Sequence, residues 1–322
     1  MPESVHTILQ PALEGRPLSR REAESLIPFT ASGLRALLGA AVVASGSAVA
    51  FTCGIINAKS GRCSEDCSFC AQSRYHKTNA PVYALVGKET LYERASRLAE
   101  NGVTRMGIVA SGAKPSEREF AAICSAARRI VDSVGIGLCA SLGVLGNDDA
   151  RMLRDAGIGS YHHNLETGRS FYPKVCTTHT YDVRVETVKN AKAAGLRVCS
   201  GGLFGVGESW GQRLELSETL QELDVDSIPV NFLMAVPGTR LENAPGVSIA
   251  EALGLIALLR LMHPGRDIVL CGGRSKALGE WDRLAVLAGA NGVMVGDYLT
   301  AKGNPFERDM HMLHEAGEIC RA

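Results

Sequence analysis

The chain has 322 residues, 46% of them hydrophobic and 21% charged, which suffices for one large or two ordinary domains with a sizeable core. Lys plus Arg and Asp plus Glu number 34 each. The formal net charge is therefore zero, which argues against nucleic acid or an anionic membrane as a partner.

The N-terminus, MPESVHTILQPALEGRPLSRREAE, lacks the basic start and apolar centre of a signal peptide, so a cytoplasmic, reducing location is expected. Residues 1–46 read as a helical N-terminal extension, with Ser19 and Glu22 in capping-box spacing. Residues 47–322 read as one barrel domain. The uncharged run from Ala36 to Ile56 is long enough to span a bilayer. It is rich in Ala, Gly and Ser and breaks at Ser45-Gly46-Ser47, so it reads as a helix end, a turn and a buried strand. Strand-like runs then recur at 48–55, 104–111, 135–142, 159–166, 196–203, 227–234, 267–273 and 292–298. Amphipathic helices alternate with them. One ends at Gly102, one starts from Ser116 with Glu119 in capping-box spacing, and one ends at Gly195. Others are expected at about 209–222, 248–262 and 275–289. Eight strands alternating with helices predict an α/β fold, a parallel (β/α)8 TIM-type barrel, with a doubly wound open sheet as the alternative. The glycines of GGLFGVGESWG do not form G-x-G-x-x-G, which weakens a dinucleotide reading.

Ten cysteines in a chain of this type point to metal or catalysis where they cluster. Cys63, Cys67 and Cys70 form C-x3-C-x2-C just after the first strand, at the end of a barrel where active sites lie. Structural zinc wants four ligands, and only one C-x2-C is present with no His at finger spacing. Three thiolates suit a 4Fe-4S cluster with one open iron. The alternative, a set of buried structural thiols, fits a lone cysteine better than three in the polar loop RCSEDCSFCAQSR. Cys53, Cys139, Cys199 and Cys271 fall in the first, third, fifth and seventh strands. Cys124 reads as core, and Cys176 and Cys320 as bystanders, or as replacement ligands should the chain fold back.

The triad with Phe69 before its last Cys resembles the radical S-adenosylmethionine (SAM) superfamily signature. SGRCSEDCSFCAQSRYHKT, HHNLETGRSFYPKV, THTYDVRVETVKNAKAAGLRVCSGGLFGVGE, PVNFLMAVPGTRLE, GGR and GANGVMVGDYLTAKGNP resemble the biotin synthase family, in order, from about residue 50 onward. That resemblance implies that Cys63, Cys67 and Cys70 hold a 4Fe-4S cluster whose open iron binds SAM. One-electron cleavage of SAM would give a radical that takes hydrogen from dethiobiotin, and an auxiliary iron–sulfur cluster would surrender the sulfur. It also implies a low-potential electron donor such as flavodoxin or ferredoxin, and a homodimer. Phe69 would lie near the adenine, Asn164 would contact bound ligand, and Glu166 stands where the family has an Asp for the SAM ribose. The backbone at Gly201 and Gly202 would approach SAM, and Asn231 would bond the ureido ring. His162 replaces a usual Asn in the substrate pocket.

One departure concerns the auxiliary cluster. The family's 2Fe-2S cluster uses three cysteines and an arginine, matched here by Cys139, Cys199 and Arg274. The third cysteine is missing, because VTRMGIVASG offers only Met106 and Gly107. Cys53 and Cys271 instead replace family serines. Thiols from four odd-numbered strands can share one barrel layer. They would hold a four-iron auxiliary cluster, leaving Arg274 as a charge-compensating neighbour. Alternatively Cys53 and Cys271 are packed core thiols, or a 2Fe-2S cluster persists with substitute ligands. Rival functions are another radical SAM enzyme (a maturase, or a mutase such as methylornithine synthase), an iron–sulfur electron-transfer protein, and, last, a zinc hydrolase.

Overall fold

The computed structural model describes residues 5–45 and 51–319. Nine parallel strands build one sheet: β1 (Phe51–Lys59), β2 (Arg105–Ala110), β3 (Gly137–Ser141), β4 (Ser160–His162), β5 (Arg197–Cys199), β6 (Gly202–Phe204), β7 (Ser227–Phe232), β8 (Asp267–Leu270) and β9 (Gly292–Met294). Their order is β5-β4-β3-β2-β1-β9-β8-β7-β6, and a further β5–β7 pairing closes the sheet on itself. The fifth barrel position is shared by β5 and β6, so nine strands make eight positions and the expected (β/α)8 barrel forms. The open-sheet alternative is excluded by that closure. Gly46, Ser47 and the opening of the first strand at 48–50, the proposed domain boundary among them, lie outside the described residues, as does Cys320.

The break between β5 and β6 has a cause in β7. Pro229 lacks an N–H, so the neighbouring strand cannot form a regular ladder beside it. Cys199 pairs with Ser227 and Gly202 with Val230, while Gly201 sits directly against the Pro229 carbonyl. A Cβ on Gly201 would come within 2.1 Å of that oxygen.

The helices start where the sequence places them. Ser19/Glu22 and Ser116/Glu119 form reciprocal capping boxes, and Ser209/Gln212 and Ser248/Glu251 add two more. The helix Glu117–Val134 ends on Gly135 in the left-handed conformation and buries Cys124. The run expected at 275–289 divides into Arg274–Leu278 and Asp282–Leu287, with Gly279 (φ 56°) at the break. The helices Asn147–Asp155 and Phe306–Ile319 had no counterpart in the sequence reading.

The N-terminal helices Val5–Leu13, Arg20–Ser25 and Ala31–Ser45 form an outer layer against Trp210–Glu222 and Ile249–Met262. This explains why ALGLIALLRLM is apolar on all sides: one face meets the barrel and the other meets the extension. Gly254 lies so close to Phe29 that a Cβ would fall 2.2 Å from its ring. Among the described residues no helix is long and apolar enough to cross a membrane.

The Gly201–Pro229 contact gives a stability test. Gly201→Ala is expected to cost about 3 kcal/mol, the upper end for overpacking. Gly39→Ala, in an open position inside Ala31–Ser45, is expected to gain roughly 0.5–1 kcal/mol. Urea unfolding followed by circular dichroism reads both.

Candidate active site

Period-two alternation along the strands lines the barrel lumen. On β1, Thr52, Gly54 and Ile56 pack outward in the buried phase, while Cys53 and Ile55 face a cavity of about 670 Å³. Seven thiols line that cavity: Cys53, Cys139, Cys199 and Cys271 from the strands, and Cys63, Cys67 and Cys70 from the loop after β1. Cys271 lies one residue beyond β8 and is fixed by its N–H donating to Val230 O at 3.0 Å. Of Met106 and Gly107, which stand where a third cysteine was expected, Gly107 pairs with Cys139, and both line the cavity.

The four strand thiols are electrostatic neighbours. Burial pushes the Cys53 thiol up to about 12, with Cys139 adding to the shift and Arg105 opposing it. Burial likewise raises Cys139 to about 11, against a hydrogen bond from Ser160 and the charge of Arg105. Cys199 is driven well above its ordinary value by burial and then by Cys139, Cys271 and Cys53. Cys271 is raised by burial and by Cys53. Nearby cations are needed to ionise such a set. Among the described residues, no three of the seven sulfurs lie within 4.8 Å of one another, as donors of one tetrahedral ion would. That spread suits polynuclear clusters, in which thiolates reside on different irons.

Arg274 does not line the cavity, although its charge opposes the upward shift of the Cys271 thiol. Its side chain is fully buried outside the cavity wall and pairs with Asp309 at 2.5 Å and Asp282 at 3.3 Å. Two carboxylates already take its charge. Of the cavity-lining arginines, Arg105 is the one whose charge acts on Cys53, Cys139 and Cys199, and sequence reasoning passed over it as part of a Thr-Arg pair.

The loop at the mouth is held by its backbone and by one buried carboxylate. Cys63 N–H donates to Gln72 O (2.9 Å), Arg74 N–H to Cys63 O (3.0 Å) and Cys70 N–H to Cys67 O (3.0 Å). Asp66 accepts from Thr177 N–H (2.8 Å) and hydroxyl (2.6 Å), and Arg240 donates to its carbonyl. Phe69 packs against the cluster of Phe171, Val175 and Leu203. Cys176 is buried behind the loop, donates to Asp66 Oδ1 at 3.3 Å, and does not line the cavity.

A chain of polar contacts runs inward from there. Glu65 meets His179 Nδ1 at 2.5 Å, His179 Nε2 meets the Tyr172 hydroxyl at 2.7 Å, and Arg184 Nε donates to that hydroxyl at 2.6 Å. Arg184 also donates to Asn164 O (2.8 Å) and toward Cys67 Sγ (3.8 Å), and lies 3.7 Å from Glu166. Burial opposes its charge, but Glu166 and Tyr172 hold it charged. Sequence reasoning missed Arg184; its one signal is a charged residue on the buried side of Tyr181–Ala193.

The broken strand organises the remaining residues. Gly201 O accepts from Leu165 N–H (3.0 Å) and Glu166 N–H (3.2 Å), and Gly201 N–H donates to Asn164 Oδ1 (3.2 Å). Glu166 takes a left-handed backbone (φ 71°), and burial raises its carboxyl. Asn231 Nδ2 donates to Gly202 O (3.2 Å) and its Oδ1 accepts from Gly272 N–H (3.1 Å). One amide hydrogen and one lone pair remain for a ligand in the lumen. Gly201 and Gly202 do not line the cavity; their missing Cβ atoms face Pro229 and Leu216. His162 lines the lumen opposite Cys199, and burial lowers it to about 4, so its imidazole is neutral.

Comparison with known proteins agrees with this geometry. Residues 58–220 match the Radical SAM superfamily, and residues 229–319 match the Biotin and Thiamin Synthesis associated domain. Biotin synthase of Nitratidesulfovibrio vulgaris (strain DSM 19637 / Miyazaki F) is 58% identical over 284 residues, covering 85% of this chain and 78% of that protein. Biotin synthase of Geotalea daltonii is 48% identical over 307 residues, covering 94% and 93%. Among solved structures, methylornithine synthase is similar with a TM-score of 0.80 at 22% identity, over 97% of this chain and 95% of that one. The FeFe-hydrogenase maturase HydG from Carboxydothermus hydrogenoformans has a TM-score of 0.83 at 19% identity, over 97% and 78%. These last two share the barrel that the rival readings presuppose, whereas the close sequence relatives are all of one kind: the chain belongs to the biotin synthase family of the radical SAM superfamily.

Proposed function

We propose that the chain converts dethiobiotin to biotin, with sulfur drawn from an auxiliary cluster held by Cys53, Cys139, Cys199 and Cys271. The observation that carries this reading is the division of seven thiols in one cavity into a mouth set and a lumen set. Cys63, Cys67 and Cys70 would hold the 4Fe-4S cluster, leaving one iron for SAM. When bound, the two clusters and SAM supply hydrogen abstraction and sulfide. The residues do the rest. Arg184 orients Cys67 and Glu166 together, Glu166 takes the SAM ribose, Asn164 contacts the bound ligand, and Phe69 walls the adenine side. Asn231 holds the ureido ring with its free donor and acceptor. Neutral His162 fills the substrate pocket without adding charge. Ile55, Val109 and Met294 keep the lumen apolar and exclude water.

The four-iron form is favoured over 2Fe-2S because Met106 and Gly107 stand where a third cysteine was expected and the carboxylates of Asp282 and Asp309 occupy Arg274. In this reading Arg274 anchors the barrel and Arg105 carries the compensating charge. The electron donor, a low-potential carrier such as flavodoxin or ferredoxin, the homodimer and the cytoplasmic location are carried over from the family.

Iron and acid-labile sulfide per chain on anaerobically isolated protein, with Mössbauer spectra, test the reading. About eight irons in cubane environments are expected; about six with a 2Fe-2S signature would restore the usual cluster. Cys53→Ser and Cys271→Ser are each expected to lower iron to about four while SAM cleavage continues. Retention of the second cluster in both would refute the four-thiol set. Separately, Glu166→Gln is expected to weaken SAM binding about ten- to a hundredfold by calorimetry, at unchanged iron content.

A further inference from the structure

The lumen does not end at the strand thiols. The cavity wall continues two residues below Cys139 and Cys199, to Gly137 and Arg197, and takes in Gly159 just before β4. Gly137, Gly159 and Arg197 are all solvent exposed. At about 3.3 Å per residue, Cys139 and Cys199 stand roughly 7 Å from the N-terminal face of the barrel. Layers of bulky side chains ordinarily fill a barrel of this type. Here two exposed glycines leave side-chain volume absent at adjacent positions, and a Cβ on Gly159 would meet nothing closer than 3.8 Å.

What floor there is carries charge. The Arg105 guanidinium lies 4.0 Å from the Phe51 ring centroid and 3.6 Å from Asp267. Arg197 reaches the same carboxylate at 3.4 Å. Asp267 also accepts from Ser227 (3.3 Å) and Asn291 (3.0 Å). Both guanidiniums line the cavity, whereas Asp267 and the nearby Asp226, which accepts from Val198 N–H at 2.7 Å, do not, so the lining at the opening is positive. Both arginine side chains keep substantial exposure, 38% for Arg105 and 54% for Arg197, so these pairs are weak and part readily.

A narrow, positive opening suits a small anion. We propose that it is the inlet for hydrosulfide, which replenishes the auxiliary cluster from below while SAM and dethiobiotin occupy the mouth. The proposal rests on the four-thiol reading, since a cluster that gives up sulfide must be resupplied. Passage is by the anion alone, along Arg197 and Arg105 to the irons beside Cys139 and Cys199.

The test uses anaerobic holoenzyme without reductant and sodium sulfide carrying a heavy sulfur isotope, with cluster mass read by native mass spectrometry. Exchange into the auxiliary cluster is expected to persist when SAM and dethiobiotin are saturating. Gly137→Trp, in phase with Cys139, is expected to slow it about tenfold by narrowing the inlet, with biotin formed in the first turnover unchanged. Arg197→Glu is expected to slow it by a similar factor at low salt, the difference shrinking at high salt. Exchange abolished by SAM and dethiobiotin, or wild-type exchange in both variants, would overturn the inlet. Iron content, measured first, separates this from the underlying reading. Should it be about four, the four-thiol cluster fails, and the inlet is judged by alkylation of Cys139 and Cys199 with the anion iodoacetate. Slower alkylation in both variants would support an anion route, and equal rates would overturn it.

Discussion

The approach of Gly201 to the carbonyl of Pro229 is the constraint on which the site depends. A proline inside β7 withholds one ladder hydrogen bond, and the neighbouring strand answers by breaking into β5 and β6. The backbone freed at the break is used at once. Gly201 fixes Asn164 and the turn at Glu166, and Gly202 fixes Asn231. Three side chains assigned to two different ligands thus hang from one interruption. The left-handed backbone of Glu166 persists because both its N–H and its carbonyl are tied to this segment.

Charge is arranged by depth. At the mouth, Arg184 is shared among Cys67, Glu166 and the Tyr172–His179–Glu65 chain, so the ligand-holding groups move as a unit. In the middle of the lumen the four strand thiols resist ionisation. Arg105 opposes the upward shift at Cys53, Cys139 and Cys199, and Arg274 opposes it at Cys271. Arg274 has been withdrawn into a buried ion pair with Asp309, whose partner removal would leave a stranded charge costing about 3–5 kcal/mol.

Much of this was legible in the sequence. Strand-like runs assigned Cys53, Cys139, Cys199 and Cys271 to odd-numbered strands, and capping boxes marked helix starts, because both signals are local. The spacing of Cys63, Cys67 and Cys70 was equally local. Arg105 and Arg184 were not legible, since a lone arginine on an inward face looks like any surface cation until the packing is known. The fate of Arg274 was hidden for another reason: it depends on Asp309, 35 residues later, on a helix the reading did not anticipate. Pro229 was visible, yet its effect falls on a different strand.

The order in which the barrel is built has a consequence for maturation. β1 finds one neighbour, β2, early, but its other neighbour is β9, and Asp309 arrives later still. On a ribosome, the wall around Cys53 and Cys271 stays open until nearly the whole polypeptide has emerged. Even the loop of Cys63 to Cys70 must wait for Thr177 to clasp Asp66. Nascent chains therefore expose reactive sulfur throughout synthesis, and insertion of iron is a task for the finished protein rather than the growing one.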